Sequence, residues 1–460
     1  MRWIHTIALV AVTSFTFPSA AQAKQVELDV AMANPTMLVP SEPGDGKKVK
    51  QENYLRIGLT GFELPSASER QPVNVAIVID KSGSMRGDKI VQARKAAVQA
   101  LERLHKDDIV SVIAYDSSVS VIVPATKATD RDTIRTKIDS IAANGNTALF
   151  AGVSKAAGEL RKFLNENTVN RVILLSDGQA NVGPSSPREL EQLGASLIKE
   201  GISVTTMGLG LGYNEDLMSS LALASSGNHV FIEDAENLVQ VFQNEFDDVL
   251  SVVAKKIRIE AKLAEGVRPV KVLNYEADIV GQVVSLDLGQ LYSRQERYFV
   301  IEVEVTCGDA DSTKPIADVG VEYLNLITET KDKLASSIEV KFSDSEEIAE
   351  AAVDKNIMAA CLIQVANQRN RRATELRDQG RIDEARNLLL INSNFLGENF
   401  QKYQLPELQL RCELNTLQSE MLESDKWGAG RKLMRQQQFQ DLSQQRYSGT
   451  GEKSDFNKKQ

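Results

Sequence analysis

Two aspartates, two serines and a threonine, spread over three short stretches, are the residues of this 460-residue chain best suited to act together chemically. Asp80-Lys81-Ser82-Gly83-Ser84-Met85 closes an apolar run over Val73–Asp80. Gly145-Asn146-Thr147 precedes a helical pattern, and Leu174-Leu175-Ser176-Asp177-Gly178 closes a second apolar run. The side chains of Asp80, Ser82, Ser84, Thr147 and Asp177 offer only hard oxygen donors. A small set of that kind favours Mg2+, with Mn2+ or Ca2+ as alternatives. Two carboxylates and three neutral hydroxyls cannot fill every position strongly, so water or an outside acidic group has to complete the shell. An open, under-neutralised metal of this sort is a receptor for a carboxylate.

These residues need a scaffold that brings three chain segments to one edge. Residues 72–254 alternate apolar strands with amphipathic helices, and strands such as Val75–Ile79 and Val172–Leu175 are apolar without alternation, which means that both faces are covered. The pattern predicts an α/β, doubly wound, Rossmann-like sheet, mostly parallel, with Val119–Val123 as an antiparallel edge strand. Ligands bind at the carboxyl ends of such strands, which is where the aspartate and serine motifs fall. From 255 to 343 the period changes to two, with Phe299, Ile301, Val303 and Val305 alternating with their neighbours, and an antiparallel β-sandwich domain is expected. The strand at Tyr54–Leu59, within a polar leader over 24–71, is expected to join that sandwich, making the α/β domain an insertion. Residues 344–430 read as helical, with Gly380 as a helix stop, and the Gln-rich stretch 431–460 as a disordered tail.

The opening residues carry a different message. Arg2, the apolar run Ile7–Phe17 and the small-residue ending Ala21-Gln22-Ala23 make residues 1–23 a signal peptide, so the protein is expected to be exported, periplasmic or secreted. No later apolar run is long enough for a transmembrane segment in the mature chain.

The three motifs together resemble the metal-ion-dependent adhesion site of von Willebrand factor type A domains, and all five positions match in order. The resemblance covers residues 72–254. It implies that the two serines and the threonine contact the metal, that the aspartates act directly or through water, and that the last position accepts an Asp or Glu of a protein partner. Met85, Asn146, Gly178 and Gly210 flank these positions and are the expected ligand-binding rim. In layout the chain is also similar to exported bacterial proteins related to inter-alpha-trypsin inhibitor heavy chains and to so-called calcium-activated chloride channel homologues.

Composition narrows the function. Fifty-three basic against 63 acidic residues give a net charge of −10, which argues against a nucleic-acid partner. Three cysteines cannot make a disulfide scaffold, and Cys361 on an apolar helical stripe reads as a buried small hydrophobe. His5, His105 and His229 are too scattered for a zinc site and have no paired nucleophile. Arg86-Gly87-Asp88 reads as a loop turn followed by a helix N-cap at Asp88. The expected function is therefore a non-enzymatic interaction protein for adhesion or complex assembly. The alternatives are a structural scaffold in which the metal only stabilises the fold, and a metal-dependent hydrolase.

Overall fold

The computed structural model describes residues 25–39, 49–64, 70–423 and 427–444. The expected signal peptide lies outside the described residues. Strands β1 (Glu27–Met32), β2 (Thr36–Leu38) and β3 (Lys50–Thr60) precede a sheet built from β4 (Val73–Asp80), β5 (Ile109–Tyr115), β6 (Val119–Lys127), β7 (Val169–Ser176), β8 (Ile202–Leu209) and β9 (His229–Ile232). Its strand order is β6-β5-β4-β7-β8-β9, parallel except for the edge strand β6, which runs antiparallel to β5. Among these strands are α1 (Asp88–Arg103), α2 (Arg131–Asp139), α3 (Leu149–Leu160), α4 (Pro187–Lys199) and α5 (Glu215–Ala224), and α6 (Leu238–Leu250) follows the last of them.

The unbroken apolar strands have a direct structural cause. Val75, Ile77 and Ile79 enter a cluster with α1, α2 and α6, whereas Ala76 and Val78 enter a second cluster with α3, α4 and α5. Each face of the sheet is thus a core in its own right. Every Val or Ile so buried contributes about 1.5–3 kcal/mol relative to exposure. The chain enters this unit under restraint, because the buried Asp108 carboxylate accepts hydrogen bonds from the Arg70 guanidinium at 2.9 and 2.6 Å and from the Val73 N–H at 2.9 Å.

The α/β unit closes on a short helix. A single 3-10 turn leads into α6, which ends at Leu250 because the Ser251 N–H and hydroxyl both donate to the Asp248 carbonyl. Val252 already opens β10 (Val252–Leu263), followed by β11 (Val267–Val272), β12 (Asp278–Val280), β13 (Val283–Tyr292), β14 (Glu296–Thr306), β15 (Thr313–Asn325) and β16 (Thr330–Ser343). They form two sheets, β1-β3-β14-β11 and β12-β13-β10-β15-β16-β2, whose inward residues share one hydrophobic cluster. The segment Tyr54–Leu59 does join this unit. Within β3, Ile57 lies opposite Phe299 and Leu55 opposite Ile301 of β14. The polar leader contains two further strands, β1 and β2, which the sequence pattern did not announce because β1 is short with one buried residue and β2 is only three residues long.

Helices α7 (Glu346–Ala351), α8 (Lys355–Asp378), α9 (Ile382–Tyr403) and α10 (Pro406–Met421) follow. Met358, Leu362, Leu396 and Leu408 pack with Leu273 and Val300 on the outer face of the four-stranded sheet. Cys361 is buried in the same cluster, and the three cysteines are unpaired. The expected disorder from 431 onward does not hold as far as Ser443, since α11 (Trp427–Ser443) buries Met434, Phe439 and Leu442; the rest of that segment, 445–460, lies outside the described residues. Charge fixes this helix in place. Arg431 pairs with Glu215, with Asp216 at 2.6 Å and with Asp378 at 2.6 Å, and Arg435 pairs with Asp216 at 2.9 Å. Lys432 donates to the Tyr213 carbonyl at 2.7 Å and to Glu215 at 2.5 Å. Burial alone would raise the Glu215 carboxyl, but Lys432 and Arg431 outweigh it and hold it below the usual range. Arg431→Glu, which sets like charges against three carboxylates, is expected to release α11. Hydrogen exchange should then show protection lost over 427–443 and kept in β4 and β7. Among the described residues no helix is long and apolar enough to cross a membrane.

Candidate metal centre

Three loops meet at the carboxyl end of the parallel sheet. The first leaves β4 at Asp80 and makes a 3-10 turn at Gly83–Met85 before α1. Gly87, at φ 79°, is the residue that turns the chain into α1; it holds the N-cap position, and Asp88 is the first helical residue rather than the cap. The second loop, from Asn144 to Ala148, is tied to the first by Gly83 N–H to Gly145 carbonyl at 2.9 Å. The third leaves β7 at Ser176. Asn181 of this loop fixes Thr147 from both sides, accepting from its N–H at 2.9 Å and donating its own N–H to the Thr147 carbonyl at 3.1 Å.

The five oxygen-bearing side chains converge here. Asp80 is fully buried and accepts from the Ser82 N–H at 2.8 Å and from the Ser176 hydroxyl at 2.7 Å. Asp177, also buried, accepts from the Ser84 hydroxyl at 2.7 Å, and the Ser82 and Ser84 hydroxyls are 3.1 Å apart. Gly178 locates their common focus. A Cβ placed there would meet Thr147 Oγ1 at 3.3 Å, Ser84 Oγ at 3.5 Å and Ser82 Oγ at 4.0 Å. Burial, assisted by the charge of Asp177, pushes the Asp80 carboxyl above its usual range against the hydrogen bonds from Ser82 and Ser176. Two buried carboxylates facing one cluster of hydroxyls is an arrangement that a small hard cation relieves. The donor set and the cradle beside Gly178 fit such an ion. Gly178→Val, which fills the cradle, is expected to weaken Mg2+ binding at least about ten-fold in a calorimetric titration.

Comparison with known proteins identifies the stretch that carries these loops. The sequence model of the von Willebrand factor type A domain matches residues 74–245. That stretch is a von Willebrand factor type A (VWA) domain. An uncharacterised protein of Synechocystis sp. is 26% identical over 278 residues, 58% of this chain and 65% of that protein. Human inter-alpha-trypsin inhibitor heavy chain H3 is 30% identical over 210 residues, 43% of this chain and 23% of that protein. The match therefore spans less than two thirds of either relative. Among solved structures, a von Willebrand factor type A protein from Catenulispora acidiphila superposes with a TM-score of 0.69 over 94% of this chain and 99% of its own, at 16% identity, a likeness of fold.

Around the VWA crest the expected rim is only partly found. Met85 does not belong to it. The 3-10 turn swings its side chain inward, and it is completely buried in the core under α1. Asn146 is exposed, with its N–H donating to Ser117 Oγ at 2.9 Å. Gly210 lies at φ 70°, and a Cβ on it would be 3.9 Å from the Lys89 ammonium. The next residue, Leu211, is 57% exposed, and Gly212 is pressed so closely on the third loop that a Cβ would come within 2.7 Å of the Asp177 carbonyl. Ser176, which the motif includes without a role, holds Asp80 in place, and Lys89, in the first turn of α1, escaped the sequence reading and reaches back to Asp177 at 2.5 Å.

Proposed function

We propose that this is an exported, non-enzymatic interaction protein. Its VWA domain grips an Asp or Glu side chain of a protein partner through a divalent metal, Mg2+ in the first place and Mn2+ or Ca2+ otherwise. Asp80, Ser82, Ser84, Thr147 and Asp177 hold the ion. Asn146, Gly178 and Gly210 border the vacancy that the partner's carboxylate fills. Proteins with VWA domains generally mediate protein interactions, some of them through such a metal, and that general behaviour supports the reading. The observation that carries it is the convergence of three hydroxyls and two buried carboxylates beside Gly178. Coordination and surface fit are sufficient for this function, so no bond is made or broken. The two antiparallel sheets act as a β-sandwich into which the VWA domain is inserted, and the helical region provides a second contact surface.

The test is affinity capture from the native exported fraction in Mg2+, in chelator, and with Asp80→Ala as bait. A partner retained only by the wild-type protein in Mg2+ is the expected result. Capture that survives chelator unchanged rejects the metal-bridged contact and leaves the protein as a scaffold.

A further inference from the structure

Lys89 is not among the five oxygen donors, yet its ammonium makes the closest contact with one of them. The Asp177 side chain is completely buried, and its two oxygens take Ser84 Oγ at 2.7 Å and Lys89 Nζ at 2.5 Å. A buried carboxylate without a counter-charge is costly, and the pair supplies one from inside the chain. The lysine itself is about a third exposed, so its long side chain can leave the pair for solvent at little cost. It stands beside the Gly210 turn.

We infer that Lys89, through its contact with Asp177, is a tethered cation that balances the site before metal enters, is displaced by the metal, and then gives the loaded site its affinity for one carboxylate. This inference rests on the metal-dependent reading above. Charge balance gives the reason. Asp80 and Asp177 together cancel one divalent ion, and the neighbouring Lys81 and Asp116 pair with each other. With Lys89 added, the loaded site keeps one positive charge in excess, which a single incoming carboxylate cancels. Without Lys89 the loaded site is neutral and attracts an anion more weakly. The same lysine therefore has opposite effects on the two ligands, opposing metal entry and favouring carboxylate entry. A residue that merely supported the fold would move both affinities the same way.

Mg2+ titration calorimetry, at fixed pH and ionic strength, tests this on the mature full-length chain with Lys89→Met, Lys89→Gln and Lys89→Arg. Lys95→Met, an exposed lysine on the same helix, is the control. Removing the charge in the Met and Gln variants is expected to tighten Mg2+ binding about ten-fold. It should also lower the melting temperature in chelator, but not in saturating Mg2+. The Arg variant and the control should stay within about two-fold of wild type. Acetate titrated onto the Mg2+-loaded protein should bind the Met variant several-fold more weakly than wild type. Unchanged or weaker Mg2+ binding in both neutral variants overturns the counter-ion role. Unchanged acetate affinity overturns the carboxylate role. Absence of Mg2+ uptake by the wild-type protein overturns the metal reading itself and this inference with it.

Discussion

Asp177→Asn is expected to reduce Mg2+ affinity by more than about 100-fold while leaving the protein folded. The amide keeps the volume of the carboxylate and can still accept from Ser84, so the packing at the end of β7 survives. What disappears is one of the two negative charges facing the hydroxyls of Ser82, Ser84 and Thr147. Calorimetric titration alongside a circular-dichroism melt separates the two effects. Lost uptake with a melting temperature in chelator close to wild type supports the assignment. Uptake near the wild-type level would remove Asp177 from the donor set.

The largest expected effect on stability lies at the opposite end of the sheet. Arg171 of β7 is fully buried and donates to Thr205 Oγ1 and to the Tyr292 hydroxyl, each at 2.7 Å, with Glu245 of α6 at 3.7 Å. Thr205 in turn donates to Glu245, whose other oxygen accepts from Asn228 at 2.8 Å. The network joins the VWA sheet, its last helix and strand β13. Arg171→Met leaves Glu245 buried without its guanidinium, and is expected to cost about 3–5 kcal/mol. Chemical denaturation would measure it as a lower midpoint. The pH dependence should follow a nearby carboxyl. Burial first, and then the charge of Glu245, push Asp248 up to about 7 against the pull of Arg171. Because the folded state holds this proton more tightly than the unfolded chain, its contribution is full below the ordinary aspartate range. It is lost as the pH rises through about 7, so the protein should be more stable at pH 5.5 than at pH 8 as far as this group is concerned.

Much of the α/β fold could be read from residue patterning, because β4 and β7 lack alternation for a simple reason: successive side chains enter different cores. That the five oxygen-bearing side chains meet was legible for a similar reason, since motifs at strand ends of such a sheet share one edge. Met85 was misplaced at the rim because its position in the sequence does not reveal that the 3-10 turn points it inward. Lys89 was missed because a helical lysine in its first turn is usually solvated, and nothing in the spacing shows it reaching back to a residue 88 positions away. Helix α11 was taken for a tail on its Gln-rich composition. Its anchors, Glu215 and Asp216, are more than 200 residues distant, and long-range charge pairing leaves no periodic trace.

That helix has a practical consequence for anyone dissecting the protein. Lys432 holds the Tyr213 carbonyl, Tyr213 follows Gly212, and Gly212 abuts the main chain of Asp177, so two contacts joined by one peptide bond run from the carboxyl-terminal helix to the loop that carries Asp177. A fragment trimmed to the family-matched stretch would lack that brace and expose the basic helix's acidic seat on α5. Affinities obtained from such an excised piece describe a slackened crest, and only the intact polypeptide reports the working one.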